Sequence, residues 1–350
     1  MESEVNIIER TCTIAEEIFG LGKNDSETLN FVNEFKSKLD NLQICQEILL
    51  HHNQSNHPMV FASDAFKEII TTFISNLTLE VAAPIADWLT QFLISYENTG
   101  LEVVIRDLSY SFGTILLHFF DQAGEPQEVL SNSLATLHRS LYTDNIFQCY
   151  HGVLIDNEIL DVFIHSTSEY AFSLFSRHFL HGFFDTTKDA LFRIAQIEEV
   201  DPEVQKLFLK FISQSCSNLA KIIGFARDSP EQTKSRKEKT TIKLENNDFK
   251  QELFNIDLIN LFFDIYKRFG TYSTLEMIYS YLRIDKSSFI NPKNGPPIVN
   301  ITFIDFFNFI SSNIIVILGE QVHFDVQANI FTLSKIISKL SEFFNERLID

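Results

Sequence analysis

The side chains best suited to chemistry in this chain are its histidines, cysteines and paired carboxylates. His178 and His181 are three residues apart, so on a predicted helix they share one face and could both reach a metal ion. A second group flanks a predicted loop near Cys45: His51, His52 and His57. Zinc needs further ligands at recognisable spacing, and neither group has them in the sequence. We therefore predict no metal site and no cofactor.

A thiol enzyme is a further possibility, because Cys149 and His151 lie close together in the sequence. A cysteine nucleophile also needs an orienting third group and an oxyanion site, and the sequence indicates neither. Adjacent carboxylates at 16–17 and 198–199 are expected by chance on the solvent faces of so acidic a chain. The glycine-rich phosphate loops and the GxSxG and HExxH motifs are absent from the sequence. We expect no catalytic residues and no enzymatic activity.

The charge balance restricts the class of partner. The net charge is −19 over 350 residues. Phosphate contacts need clustered Lys and Arg, so we expect no direct binding of nucleic acid. A strongly acidic chain is soluble, and it is attracted to basic protein surfaces.

Cysteine usage and hydropathy bear on the compartment. The four cysteines are far apart and form no CxxC motif, which indicates buried thiols in a reducing environment. The N-terminal stretch MESEVNIIER does not have the pattern of a secretory signal. The most apolar segment, 303–318, is shorter than the ~20 residues of a membrane-spanning helix, and Asp305, Asn308 and Asn313 interrupt it. We interpret it as a buried core helix and expect no membrane partner.

The elements that would hold these residues are helices. Apolar residues recur at helical spacing along most of the chain, while glycine and proline number only 11 and 8. Pro84 is predicted to lie near the start of one helix. The later predicted helices are 101–120, 146–165, 170–181, 186–197, 202–224, 249–269, 273–282, 301–318 and 328–348.

The spacing of these helices predicts a repeat architecture. Helix pairs recur about every 40–50 residues, the period of HEAT and armadillo repeats. The predicted fold is therefore all-α, an α-solenoid of HEAT-type antiparallel helix pairs in a right-handed superhelical array. We predict a first array over 1–226 with four to five helix pairs, a polar insert over 227–248 and further repeats over 249–350.

The predicted insert holds the one basic cluster of the sequence: Lys234, Arg236, Lys237, Lys239 and Lys243. A solvated loop, a nuclear-localisation patch and a loop that contacts a partner are all compatible with this composition.

Several segments, in order, resemble the N-terminal region of the importin-β/exportin (karyopherin) family. CQEILLHHNQSNHPMVFASDAFKEIITTFI (45–74) resembles the first HEAT repeats of that family, and ADWLTQFL (86–93) resembles the helix that comes next. FKQELFNIDLINLFFDIYKRFG (249–270), after the polar insert, and ANIFTLSKIISKLSEFF (328–344) continue the order. The resemblance is greatest to the exportin-7 branch, with the exportin-4 branch next. The chain corresponds to about the first third of such a receptor.

The resemblance implies a nuclear transport receptor segment. In this family the N-terminal repeats bind Ran in its GTP form on the concave face, and the outer face meets Phe-Gly repeats of nucleoporins. It thus implies Ran, nucleoporins and protein cargo as partners, and the nucleus, cytoplasm and nuclear pore complex as locations.

Helix faces suggest where such a partner would bind. Asp87, Thr90 and Gln91 are predicted on the polar side of the helix that carries Trp88 and Phe92. Glu128 and Asn132 are predicted on the polar side of the helix that comes two helices later. If these helices line the concave face, Asp87, Gln91 and Glu128 form an acidic surface for a basic partner. A helical-repeat scaffold outside nuclear transport, such as a trafficking adaptor, remains the alternative function.

Overall fold

The structure, a computed structural model, describes residues 4–23, 25–51, 56–96, 101–197, 201–225, 252–284 and 302–347. Regular structure in these ranges is helical, which confirms the all-α prediction. The helices are α1 (Glu4–Ala15), α2 (Ser26–Lys36), α3 (Asn41–His51), α4 (Asn56–Phe73), α5 (Leu79–Ser95), α6 (Glu102–Ala123), α7 (Glu128–Leu141), α8 (Ile146–Ile164), α9 (Glu169–His178), α10 (Leu180–Ala195), α11 (Pro202–Phe225), α12 (Ile256–Phe269), α13 (Tyr272–Leu282), α14 (Phe303–Glu320) and α15 (Gln327–Arg347).

The start of α5 differs from the prediction. The helix begins at Leu79, after an extended Thr78, and Pro84 lies inside it. The backbone N–H groups of Val81 and Ala82 both donate to the carbonyl of Thr78, so the first turn forms before the proline. Pro84 removes only the one bond that its own N–H would have made to the carbonyl of Glu80. The helix tolerates this loss near its N-terminus.

Two other boundaries also differ. The break between α9 and α10 lies at Phe179, and not at 182–185, because Leu180 and Phe183 are buried and already belong to the apolar face of α10. Helix α12 begins at Ile256, where the side chain of Asn255 accepts a hydrogen bond from the N–H of Asp257 and caps the helix.

The chain divides into two compact units. Unit 1 comprises residues 1–141 and 154–175, and unit 2 comprises 142–153 and 176–350. Helix α8 therefore contributes its second part to unit 1 and its first part to unit 2. The predicted insert 227–248 lies outside the described residues, so the division into two arrays around it stays a prediction.

In unit 1, helices pack against their neighbours in the chain and against the next but one. Helix α3 packs on α4, and α5 packs on α6. Beyond these pairs, α4 packs on α6 and α5 packs on α7. Helix α6 also approaches α8 closely at Gly113, where an added Cβ would lie 3.2 Å from Cγ2 of Val162. The largest fully buried side chains of this unit are Phe66, Phe112, Phe120, Phe163 and Phe175.

Unit 2 repeats the same pattern with other helices. Helix α10 packs on α11, and α12 packs on α13. The next-but-one contacts join α10 to α12, α11 to α13, α12 to α14 and α13 to α15. Its largest fully buried side chains include Phe183, Phe211, Phe262, Tyr266 and Tyr281.

Two helices in the described ranges are long and apolar enough to cross a bilayer by length and composition, α6 and α14. The apolar window of α6 is 67% buried, as in the core helix of a folded domain, whereas that of α14 is 28% buried. Phe306, Ile310 and Ile317 of α14 are buried, but Ile315 is 67% exposed. The interpretation of 303–318 as a buried core helix is therefore wrong for one of its faces.

Candidate partner-binding surface

The three residues predicted to bind a partner lie on two helices of unit 1 that pack together. Asp87 and Gln91 are exposed and four residues apart on α5, so they share one face. Glu128 is exposed in the first turn of α7, where a carboxylate is favoured by the helix dipole. Because α5 packs on α7, the three side chains lie on neighbouring helices.

An aromatic stack on the opposite side fixes the orientation of α5. The ring of Trp88 stacks on that of Phe66 in α4, with centroids 5.4 Å apart. Along α5, Trp88 stacks on Phe92 and Phe92 on Tyr96, each with centroids 5.3 Å apart. With these rings held against the core, the side chains at 87 and 91 face solvent.

One residue of the predicted polar side is not part of it. Thr90 is buried, with 2% of its surface exposed, and its hydroxyl donates to the carbonyl of Ala86 at 2.8 Å. A threonine can occupy a core position in a helix because it satisfies its hydroxyl on its own backbone. The prediction of Thr90 as a surface residue is therefore wrong, whereas Asn132 is exposed as predicted.

The exposed residues of α5 and α7 make a surface of acidic character. We define the α5–α7 face by its exposed polar residues Glu80, Asp87, Gln91, Glu128 and Asn132. Three of the five are carboxylates. The exposed cation on these two helices is Arg139, in the last turn of α7. The face is suited to contact with a basic surface.

A second surface of unit 1 was not predicted from the sequence. Helices α4, α6 and α8 enclose a cleft of about 420 Å³. Its lining is charged and hydroxylic: Lys67, Glu68, Thr71, Thr72, Arg106, Asp107, Tyr110 and Glu158.

Ion pairs across this cleft join alternate helices of the chain. Lys67 of α4 pairs with Asp107 of α6, and Arg106 of α6 pairs with Glu158 of α8. On the α2 side, Nζ of Lys36 lies 2.7 Å from Oδ2 of Asp64 in α4. We call this series of pairs from α2 to α8 the charged ladder.

Burial of Asp107 sets the electrostatics of the ladder. Desolvation raises the pKa of Asp107 above its usual range, although the hydrogen bond and charge of Lys67 act to lower it. Burial alone would lower the pKa of Lys67, but pairing with Asp107 and Asp64 outweighs it, and that pKa is raised. Because each cation of the cleft already faces a carboxylate, the cleft is better suited to joining helices than to binding an anion.

The sequence contains part of the signal for the ladder. Asp64, Lys67 and Glu68 recur at helical spacing on one side of α4, and such a cluster indicates a polar face. Their partners are far away in the chain, however: Asp107 lies 40 residues beyond Lys67, and Glu158 lies 52 residues beyond Arg106. Only the packing of α4, α6 and α8 brings them together.

The thiol weighed as a nucleophile, that of Cys149, is buried in α8. The thiol of Cys149 donates to the carbonyl of Thr143 at 2.9 Å. Burial raises the pKa of Cys149 to about 11, so the thiolate needed for nucleophilic attack is disfavoured. Cys45 and Cys216 are also buried, and Cys12 is half-buried.

Three of the histidines weighed in the sequence contact carboxylates: His51, His57 and His181. Nδ1 of His57 lies 2.7 Å from Oε2 of Glu16, and Nε2 of His51 lies 3.5 Å from Oε2 of Glu47. His52 and the carboxylate pair at 198–199 are outside the described residues. His178 ends α9, whereas His181 in α10 contacts two carboxylates. His181 and its two carboxylate partners form a cluster of side chains that could hold a metal ion: His181, Asp185 and Glu252. Asp185 is four residues from His181 and could have been found by spacing, whereas Glu252 could not.

No protein-family model matches the chain, and the comparison with curated proteins gives no match. Function is therefore inferred from the helix packing and from the surfaces of the two units.

Proposed function

We propose that the chain is a protein-binding α-solenoid of HEAT-type helix pairs that acts as an exportin-like segment of a nuclear transport receptor. Its partner on the α5–α7 face is Ran in its GTP form, as the family resemblance implies. Phe-Gly nucleoporins and protein cargo are the further partners in this proposal. The role is binding without catalysis.

The observation that carries the proposal is the packing of several helices on the next but one. In a single helix pair, the apolar faces have too little partner surface, and stacking of further pairs covers them. The contacts of α4 with α6 and α5 with α7, and of α10 with α12 and α11 with α13, have this form in both units. Such stacking supports a two-row array, in which one row of helices is available to a partner.

The α5–α7 face supports the choice of partner chemistry. Asp87 and Glu128 are exposed, and α5 is held in place by Trp88 and its neighbours. Complementary charge mainly raises the association rate and fixes the register of a complex, while a preformed surface avoids the cost of ordering. An acidic, rigid face therefore favours a basic, folded partner over a nucleic acid.

The test is the binding of full-length chain to Ran loaded with a non-hydrolysable GTP analogue or with GDP, followed by biolayer interferometry. We expect binding to the GTP form only. The double variant Asp87→Lys/Glu128→Lys should weaken it by roughly tenfold or more, because both changes reverse charge in the interface. The matched control, Asp40→Lys/Asp264→Lys, reverses two exposed carboxylates elsewhere and should change the affinity by about twofold or less. Equal binding to both nucleotide forms, or none, would contradict the Ran proposal.

A second candidate is a helical-repeat scaffold outside nuclear transport. It is favoured by the helix stacking itself, because that stacking does not specify a partner. This candidate predicts partners that do not depend on the nucleotide bound to Ran. It also predicts no nuclear-rim staining of the tagged chain in cells.

A further inference from the structure

A cluster of ligand-type side chains in unit 2 is not used by the proposed function. His181 and Asp185 are four residues apart on α10 and share one face of it. Glu252 lies in the segment that leads into α12. The two residues after Glu252, Leu253 and Phe254, are almost fully buried, and they anchor the position of its backbone.

The distances in this cluster call for a cation. Nε2 of His181 lies 2.8 Å from Oε1 of Glu252, and Nδ1 lies 3.3 Å from Oδ2 of Asp185. A neutral imidazole has one N–H, so only one of these contacts can be a hydrogen bond. The second contact needs a positive charge, which either a ring proton or a bound metal ion would supply.

A buried carboxylate oxygen in the cluster also has no hydrogen-bond partner in the described part of the chain and could accept a cation. Oε2 of Glu252 is shielded from solvent and accepts no hydrogen bond from the described residues. The cation near it is Lys188, whose Nζ lies 3.8 Å away, too far for a hydrogen bond. Buried polar atoms are usually satisfied, so this oxygen has unused capacity for a ligand bond.

Lys188 leaves the relevant oxygen of Asp185 available. Its Nζ lies 2.6 Å from Oδ1 of Asp185, while Oδ2 is the oxygen that faces His181. An outer partner of this kind orients a ligating carboxylate. The positive charge of Lys188 also opposes a second cation nearby, so the lysine both positions Asp185 and weakens binding.

We propose that His181, Asp185 and Glu252 bind Zn²⁺. One nitrogen or oxygen atom from each of the three lies within 4.8 Å of the others, so one ion could be shared by both carboxylates and one of the two ring nitrogens. One imidazole and two carboxylates are common zinc ligands, and a water completes a four-coordinate site. Mg²⁺ and Ca²⁺ prefer oxygen ligands in larger number, so the imidazole selects against them.

The site would act as a clip within unit 2. His181 and Glu252 are 71 residues apart in the chain, and the ion would tie α10 to the segment that enters α12. Zinc bound to the folded state and not to the unfolded chain would stabilise this connection. The role is structural and is independent of the α5–α7 face of unit 1.

The first test is isothermal titration of the chelator-treated full-length chain with Zn²⁺, and separately with Mg²⁺. We expect one Zn²⁺ per chain and no heat from Mg²⁺. His181→Ala and Glu252→Gln should each abolish that binding event or weaken it by roughly a hundredfold, since each removes one of three ligands. The matched control His178→Ala removes a nearby exposed histidine outside the cluster and should bind Zn²⁺ like the unaltered chain. Circular dichroism verifies that each variant keeps its helix content.

A gain-of-affinity variant makes the test independent of damage to the fold. Lys188→Met removes the competing charge and should tighten Zn²⁺ binding by roughly threefold to tenfold. Zn²⁺ should also raise the midpoint of thermal unfolding in the unaltered chain and in His178→Ala, but not in His181→Ala. A chain that takes up no Zn²⁺, or one whose uptake is the same in all the cluster variants, would overturn the proposal.

Discussion

The two compact units stack their helices in the same way, but different contacts stand out across neighbouring pairs. In unit 1 the charged ladder links the faces of α2, α4, α6 and α8 through side-chain ion pairs. Unit 2 has ion pairs as well, such as Lys335 with Glu276, and in addition its side chains reach backbone groups at helix ends. Arg268 donates to the carbonyls of Ala195 and Ile197, and the hydroxyl of Tyr266 donates to the carbonyl of Val322 at 3.0 Å.

The hydrogen bonds from side chains to backbone carbonyls are clearest near the turn between α14 and α15. Asn329 is fully buried, and its amide donates to the carbonyl of Gly270 at 3.0 Å and to that of His323 at 3.3 Å. The Nε2 of His323 lies 3.0 Å from the carbonyl of Lys267. These bonds fix the ends of α12 and α15 and involve uncharged backbone acceptors.

One stacking pattern is thus stabilised in two ways that respond differently to solution conditions. Ion pairs on partly exposed faces weaken in salt and respond to pH. Hydrogen bonds between uncharged groups, such as those from Asn329 to backbone carbonyls, depend less on either. Unit 1, which carries the α5–α7 face, is therefore the unit whose helix packing is easier to adjust. An array with adjustable packing can couple two ligands through its curvature.

The largest predicted effect is in unit 2, at Gly270. Its φ is +64°, and an added Cβ would lie 2.6 Å from Cγ of His323. Gly270→Ala should lower the free energy of unfolding by about 2 kcal/mol or more, because it combines backbone strain with a clash. Urea unfolding followed by circular dichroism measures it.

The matched control for this change is Gly319→Ala. Gly319 is in α14, and an added Cβ would meet no atom within 4 Å. Alanine in a helix is favoured over glycine, so this variant should be more stable than the unaltered chain by about 0.5–1 kcal/mol. Equal stability of the two variants would refute the assignment of Gly270 to a constrained turn.

The next effect is in unit 1. Lys67→Met keeps most of the side-chain bulk but leaves the buried carboxylate of Asp107 without its cation. We expect a loss of about 1–2 kcal/mol, concentrated in α4 and α6, since a buried acceptor loses a charged donor. Hydrogen–deuterium exchange of peptides from α4 and α6 reports it, with peptides from α12 as the internal control. A uniform increase in exchange across both units would contradict a local role.

A smaller effect concerns pH. The pKa of Asp107 is raised by burial, so the folded chain binds this proton more tightly than the unfolded chain does. The contribution of Asp107 to stability is therefore most favourable below its ordinary pKa of 3.8 and declines as pH rises through the raised folded pKa. The unfolding free energy of the unaltered chain minus that of Asp107→Asn should fall between pH 4 and pH 7. A rise over this range would mean that Lys67, and not burial, controls the carboxylate.

The smallest effect is that of salt. An increase in NaCl from about 0.05 M to 0.5 M should lower the local stability of α4 and α6 by about 0.5 kcal/mol, because it screens the charged ladder. The peptides of α12 should change less. Hydrogen–deuterium exchange at the two salt concentrations measures both units in one sample. A larger loss of local stability in unit 2 than in α4 and α6 would contradict the greater salt sensitivity of unit 1.

Local periodicity in the sequence was enough to predict the helices and some of their faces. The spacing of apolar residues located the helices, and the positions of Trp88 and Phe92 placed Asp87 and Gln91 on the opposite, exposed face. Periodicity failed for Thr90, because a hydroxyl that bonds to its own helix does not mark the surface. It also failed for pairs that depend on packing, such as His181 with Glu252. No local pattern records which distant side chain a helix face will meet.

The α5–α7 face is tested most directly by hydrogen–deuterium exchange of the full-length chain with and without Ran in its GTP form. We predict protection of peptides from α5 and α7, with little direct change in α12 and α13, and no protection by Ran in its GDP form. The variant Asp87→Lys/Glu128→Lys should lose that protection. Protection confined to unit 2, or the same response to both nucleotide forms, would contradict the assignment of the α5–α7 face as the binding surface.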